Sequence, residues 1–354
     1  MAKIIVLGAG VMGSAFAQLL ADTGNQVFLV GTHLDQDIID SVRADGTHPK
    51  LKVKLPENVR AFSYTQLEDI VDQHVRLIVF GVNSAGVDWA VARIGPLLKP
   101  QVPILMLTKG LAVQGHSLKI LPQAVKEGLT QYGLSGIPLA AVGGPCIAGE
   151  LAARRQSSVV IACPDTALLE WLLNLVDAPY YHARGSTDLM GVEVCAALKN
   201  FYTLAVGYAS GQLEQRGKAP NGALMHNLAA GLFTQALAEI HYFVKILGGQ
   251  IDSVFGLAGA GDLYVTCQAG RNGRMGKLLG TGLLYREAKS KHMPDDTIEG
   301  AELALVIGRT LKQLIDKGAI AQKAVPLTES IVEAVCDNQP LLIPWDRFYS
   351  KSKT

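Results

Sequence analysis

The run Ile4–Leu7 leads directly into Gly8-Ala9-Gly10-Val11-Met12-Gly13, and Ser14–Ala21 follows with the texture of a helix. An apolar strand, a Gly-x-Gly-x-x-Gly turn and a helix in immediate succession constrain the fold strongly. Gly8 permits a tight turn, Gly10 lets the backbone approach a pyrophosphate, and Gly13 lets the helix pack close to the strand. The N–H groups at the helix N-terminus then face the phosphates. This pattern predicts a dinucleotide site at Gly8, Ala9, Gly10, Val11, Met12 and Gly13; a purely structural turn is the alternative.

The rest of the first half fits a sheet built around that turn. Apolar runs at Val27–Val30, Leu77–Phe80, Ile104–Leu107, Leu139–Val142 and Val159–Ala162 alternate with helical or loop stretches. Such alternation predicts an α/β fold, a Rossmann-type doubly wound sheet covered on both faces. After about Gly185 the texture becomes helical, at Leu189–Ser210, Ala223–Leu247, Gly300–Asp316 and Leu327–Cys336. With 354 residues, two domains are expected. They are a dinucleotide-binding domain over 1–184 and an all-helical substrate-binding or catalytic domain over 185–354, with the boundary near Ala183–Thr187. The polar tail Ser350–Thr354 is expected to fray.

At the tip of the second strand, an acidic residue would bind the ribose of NAD. The chain has Gly31-Thr32-His33 there, and no carboxylate until Asp35. A neutral tip does not repel a 2′-phosphate, and Thr32 and His33 can hydrogen-bond one. The cofactor expectation is therefore NADP or NAD, leaning to NADP.

Charged residues make up only 18% of the chain, which makes those inside apolar helices conspicuous. Asp188–Ala209 carries only Asp188, Glu193 and Lys199, and a helix apolar all round is buried. Lys199 lies six residues from Glu193, outside the i,i+4 pairing, so a distant carboxylate or a bound anion must compensate it. A catalytic lysine and a lysine snorkelling at a domain edge are the two readings. Gly256-Leu257-Ala258-Gly259-Ala260-Gly261 would deliver Asp262 inward, with Thr266 one turn further on. Gly270-Arg271-Asn272-Gly273 holds an arginine and an amide among glycines, a combination suited to an anion. Lys109 follows a predicted strand at its carboxyl end, the edge that lines ligand crevices in open α/β sheets. Ala148 lies in Gly144–Glu150, a second strand-to-helix turn that can offer backbone contacts to a cofactor.

Other classes fit poorly. A net charge of +1 argues against a nucleic-acid binder. The five cysteines are widely spaced, which suggests neither a zinc site nor a disulfide framework and points to a reducing, cytoplasmic setting. The uncharged stretches Gly128–Gly149 and Ala219–Ala238 are broken by glycine, proline or amide residues, so no stable membrane insertion is expected. The histidines have no metal-ligand spacing, so the expected metal set is none.

Taken together, these segments resemble the NAD(P)-dependent glycerol-3-phosphate dehydrogenase family. The resemblance is carried by Gly8–Gly13, Thr108-Lys109-Gly110, Gly144-Pro145 with Ile147-Ala148, and Glu193–Asn200. Gly256–Leu263, Gly270–Gly273 and Ile298-Glu299-Gly300 complete it, in the family's order. The tip Gly31–Asp35 is closer to the archaeal-type branch. The resemblance implies an oxidoreductase that reversibly reduces dihydroxyacetone phosphate to sn-glycerol 3-phosphate with NAD(P)H. It implies Lys199 as acid/base, with Asn200, Asp262 and Thr266 positioning it and the substrate, and Lys109 adding positive charge. Arg271 and Asn272 would hold the substrate phosphate near the cofactor phosphates, and Glu299 would contact the nucleotide. The partner is a small phosphorylated substrate, and a homodimer is expected. Cys146 and Gly149 depart from the family pattern, which touches substrate fit. A related dehydrogenase of another small polyol phosphate or acidic ketone remains open, as does a non-catalytic NAD(P)-responsive regulator.

Overall fold

A computed structural model describes residues 1–217 and 219–348. The tail Ser350–Thr354, expected to fray, lies outside the described residues. The chain folds as two compact units, one of Met1–Lys109 with Ile120–Glu193, the other of Gly110–Lys119 with Val194 onward.

Along the chain the strands are β1 (Lys3–Leu7), β2 (Gln26–Gly31), β3 (Thr47–His48), β4 (Val53–Lys54), β5 (Val59–Ser63) and β6 (Val75–Phe80). They continue as β7 (Ile104–Met106), β8 (Leu111–Gln114), β9 (Ser117–Ile120), β10 (Leu139–Gly143), β11 (Ser157–Ala162) and β12 (Tyr181–Ser186). Eight of them form one sheet in the order β12-β11-β10-β7-β6-β1-β2-β5. Of its pairings only β10 with β11 is antiparallel. From β5 to β10 the order is that of a Rossmann fold, with the chain reversing direction between β1 and β6. Ile4–Leu7 and Leu77–Phe80 are fully buried, because helices cover both faces. The helices of this unit are α1 (Val11–Asp22), α2 (Gln36–Asp45), α3 (Leu67–Ile70), α4 (Val87–Ile94), α5 (Leu121–Thr130), α6 (Ala148–Ala152) and α7 (Thr166–Leu175).

All six expected strands are present. Two more, β5 and β12, lie at the sheet edges and carry Arg60, His182 and Arg184, so no apolar run marks them. The hairpins β3–β4 and β8–β9 are too short to show a period.

α8 (Leu189–Arg216) begins in the first unit and continues into the second. It is followed by α9 (His226–Ile246), α10 (Asp252–Phe255), α11 (Asp262–Gln268), α12 (Arg271–Gly280), α13 (Tyr285–His292), α14 (Glu299–Asp316) and α15 (Pro326–Cys336). The sequence puts the domain boundary near Ala183–Thr187; the compact units divide inside α8, between Glu193 and Val194, and the β8–β9 segment goes with the helical unit. A continuous helix gives no punctuation at such a crossing. α8 is long and apolar enough to cross a membrane, yet 89% of its apolar window is buried in the protein.

α8 and α12 cross with their backbones nearly touching. A Cβ on Gly276 would strike the Leu204 carbonyl, and one on Gly280 would strike that of Tyr208. Gly276 and Gly280 therefore serve helix packing. Within Gly270–Gly273, Arg271 is the first residue of a helix.

Candidate active site

In the first unit the glycine turn is pinned between strands. Gly8 has φ 110°, and its N–H donates to the Val30 carbonyl at 2.8 Å. The Gly81 N–H donates to the Leu7 carbonyl at 2.8 Å. The turn thus sits at the carboxyl end of β1, at the switch point where α/β sheets bind ligands. A Cβ on Gly13 would collide with the Gly8 carbonyl, so α1 lies directly against the turn. A Cβ on Gly10 would meet nothing within 4 Å, leaving room beside that backbone. These three environments fit a bound pyrophosphate. Val11 begins α1 and is exposed, with Met12 half-buried behind it. Ala148, at the other strand-to-helix turn, is the first residue of α6.

The Ala9 backbone is held by three side chains. Its N–H donates to Asp35 Oδ2 at 3.3 Å, and its carbonyl accepts from Ser14 Oγ at 3.0 Å. His48 Nε2 lies 3.1 Å from the same carbonyl. His48 is fully buried, and burial pushes its pKa below the usual value of 6.5. Asp35 Oδ2 also accepts from Thr32 N at 2.9 Å and Thr32 Oγ1 at 2.8 Å. The expected neutral tip of β2 is therefore corrected: Asp35 folds its carboxylate back onto Thr32, whose hydroxyl is already donating. His33 is exposed.

Thr108 Oγ1 donates to the Val82 carbonyl at 2.7 Å, which anchors the segment carrying the half-buried Lys109. Glu193 is fully buried in the same unit, and neither of its carboxyl oxygens has a hydrogen-bond partner among the described residues. Burial raises its pKa from 4.5 to about 8, against the opposing pull of Lys109. A carboxyl with a raised folded pKa stabilises the fold fully below its unfolded pKa and loses that contribution as pH rises through the folded one. Wild-type stability is expected to fall relative to Glu193→Gln by about 1.4 kcal/mol per pH unit between about pH 5 and pH 8. Denaturant unfolding of both proteins across that range checks this; a constant difference between them contradicts it.

In the second unit four helices bring the expected polar residues together. Lys199 on α8 donates to the carboxylate of Asp262, the first residue of α11. Lys199 is 7% exposed and Asp262 is fully buried. Of the two compensators the sequence allowed, a distant carboxylate or a bound anion, the carboxylate is present as Asp262, and the pair is worth most as a fixed geometry, because desolvation offsets much of its attraction. Thr203 Oγ1 donates to the Lys199 carbonyl at 2.7 Å, and Thr266 Oγ1 donates to the Asp262 carbonyl at 2.6 Å.

Beside the pair runs a chain of amides. The Gly300 N–H donates to Asn272 Oδ1 at 2.9 Å, Asn272 Nδ2 to Asn200 Oδ1 at 3.0 Å, and Asn200 Nδ2 to Glu299 Oε2 at 3.0 Å. Each amide donates and accepts, so neither can flip without losing bonds. Arg271 reaches Glu299 Oε1 at 3.4 Å, with both side chains about half exposed. Such a pair is weakly held in water. The Arg271 guanidinium therefore remains available to an anion, next to the N–H groups that open α12. A buried ammonium fixed by a carboxylate can protonate a carbonyl oxygen, and an arginine at a helix N-terminus can hold a phosphate. Sequence reasoning missed the turn's supports, His48 and Ser14; a two-residue strand and a helix-interior serine carry no signal of that role.

Known proteins match this arrangement along the chain. The model for the NAD-dependent glycerol-3-phosphate dehydrogenase N-terminus matches residues 3–169, and that for its C-terminus matches 188–342. An NADP(+)-dependent glycerol-3-phosphate dehydrogenase of Archaeoglobus fulgidus is 35% identical over 288 residues, covering 80% of this chain and 82% of that protein. A glycerol-3-phosphate dehydrogenase [NAD(P)+] of Streptomyces avermitilis is 30% identical over 354 residues, covering 99% and 97%. The crystal structure of glycerol-3-phosphate dehydrogenase from Coxiella burnetii superposes with a TM-score of 0.78 at 26% identity, covering 100% of this chain and 99% of that one. The glycine turn, the buried Lys199–Asp262 pair and these matches over both units agree, and the chain belongs to the NAD-dependent glycerol-3-phosphate dehydrogenase family.

Proposed function

We propose that this chain reversibly reduces dihydroxyacetone phosphate to sn-glycerol 3-phosphate, with Lys199 as the acid/base. The observation that carries this reading is the buried Lys199–Asp262 pair beside the amide chain that ends at Arg271. Residues Gly8–Gly13 and Ala148 would hold the dinucleotide, with Thr32 and His33 towards its adenosine end and Glu299 and Arg271 also in contact with it. A bound NADH or NADPH supplies the hydride.

Lys199 gives a proton to the ketone oxygen as the alkoxide forms, and takes it back in the reverse direction. Asp262 keeps the ammonium in place. Arg271 and Asn272 hold the substrate phosphate, Asn200 and Thr266 orient the substrate, and Lys109 adds positive charge that favours the developing alkoxide. On this reading the first unit supplies the glycine turn and Lys109, and the second supplies the proton donor and the phosphate-holding residues, with Arg271 and Glu299 also touching the dinucleotide.

The NADP(+)-dependent relative from Archaeoglobus fulgidus favours NADP(H), whereas the Asp35 carboxylate opposes a 2′-phosphate. All five cysteines are free thiols, which suits a cytoplasmic enzyme. Another small polyol phosphate is the second reading, favoured only by the departures at Cys146 and Gly149. Initial rates with dihydroxyacetone phosphate, unphosphorylated dihydroxyacetone and other ketose phosphates, each with NADH or NADPH, separate the two. Dihydroxyacetone phosphate is expected to have the highest kcat/KM; a higher value for a different ketose phosphate establishes the second reading.

A further inference from the structure

The side chains that hold Ala9 have a consequence for cofactor binding. His48 Nδ1 accepts from the N–H groups of Lys50, at 3.2 Å, and Leu51, at 3.1 Å. That nitrogen therefore carries no proton, and the ring's proton is on Nε2, which donates to the Ala9 carbonyl at 3.1 Å. Ser14 Oγ donates to the same carbonyl. This carbonyl belongs to the Ala9–Gly10 peptide. In a trans peptide the C=O and the N–H point in opposite directions. Drawing the Ala9 oxygen towards His48 and Ser14 therefore turns the Gly10 N–H away from them, at the glycine that has open space beside it.

We propose that His48 is a positioning residue for the dinucleotide: by holding the Ala9 carbonyl from the β3–β4 hairpin, it aims the Gly10 N–H at the cofactor pyrophosphate. The proposal rests on the reading that the Gly8–Gly13 turn binds NAD(P)H. His48 touches no substrate or cofactor atom in this role. Its effect is on cofactor affinity and leaves the proton-transfer step unchanged. Ser14 acts on the same oxygen from α1, so removing either donor shifts affinity in the same direction.

The test is a fluorescence titration of NADPH and NADH into the full chain, alongside kcat and cofactor KM for reduction of dihydroxyacetone phosphate. His48→Leu removes the donor, and His48→Gln restores an amide N–H at the Nε2 position. Losing one hydrogen bond of this kind corresponds to about a tenfold weakening. His48→Leu is expected to raise the cofactor Kd and KM about tenfold while kcat at saturating cofactor stays within about twofold, with His48→Gln close to wild type. Ser14→Ala, which leaves the hairpin intact, is expected to raise Kd in the same direction and decides the question if His48→Leu does not fold. An unchanged Kd in folded His48→Leu, even with a lowered Tm, overturns the proposal, as does an unchanged Kd in Ser14→Ala. If wild-type protein binds neither cofactor, the reading of the turn itself fails; that outcome is distinct from one in which wild type and variants bind equally.

Discussion

Replacing Lys199 with methionine is expected to lower turnover about a thousandfold while changing cofactor affinity little. On the proposed mechanism Lys199 gives the proton to the carbonyl oxygen, and general acid catalysis contributes about 10²–10⁴-fold. Lys199 also neutralises Asp262, which is fully buried. The single variant leaves that carboxylate without its cation, at a cost of about 3–5 kcal/mol in stability. A loss of rate could then be blamed on a loosened fold. The double variant Lys199→Met/Asp262→Leu separates the two effects, because removing both charges takes away the buried unpaired one. It should recover most of the lost stability and none of the turnover. Steady-state kinetics and denaturant unfolding of the wild type and both variants check this. Substantial turnover in the folded double variant removes Lys199 from the mechanism.

Gly13→Val and Gly10→Ala are expected to lose cofactor binding for different reasons. A Cβ at Gly13 runs into the Gly8 carbonyl, and one at Gly10 meets no protein atom within 4 Å. Valine at 13 must push α1 off the turn or open the turn, so binding should weaken at least about a hundredfold and stability should fall by about 1–3 kcal/mol. Alanine at 10 adds a methyl group only where the pyrophosphate needs the space. Affinity should fall about tenfold or more, with the melting temperature unchanged. Cofactor titration and thermal unfolding of both variants test the contrast. If Gly10→Ala binds as tightly as wild type, the pyrophosphate does not lie along that backbone.

How far each part was legible depended on how local its cause was. The β1–turn–α1 unit could be read because its reasons lie within a few residues: Gly8 turns, Gly13 packs, and Ile4–Leu7 is buried on both faces. The first part of α8 could be read because burial all round left almost no charge, which also singled out Lys199. The partner of Lys199 lies 63 residues away on α11, so spacing alone could state the need for a carboxylate or a bound anion but could not choose between them; the family resemblance pointed to Asp262. α12 was hidden because Gly273, Gly276 and Gly280 look like loop residues, whereas Gly276 and Gly280 let α8 and α12 approach closely. Asp35 and His48 were misplaced or missed because their contacts with Ala9 span 26 and 39 residues. Glu193 stood out as one of few charges, but its lack of a partner is a property of packing.

The reaction proposed for this chain is reduction of a ketose phosphate by a nicotinamide cofactor. Its most direct test is the initial rate at which purified protein oxidises NADH or NADPH on addition of dihydroxyacetone phosphate, followed by the cofactor's near-ultraviolet absorbance, with the product analysed. A saturable rate with at least one cofactor, one glycerol 3-phosphate formed per cofactor oxidised, and little rate with unphosphorylated dihydroxyacetone are expected of this reaction. Tight cofactor binding with no oxidation by dihydroxyacetone phosphate or any other ketose phosphate would contradict it.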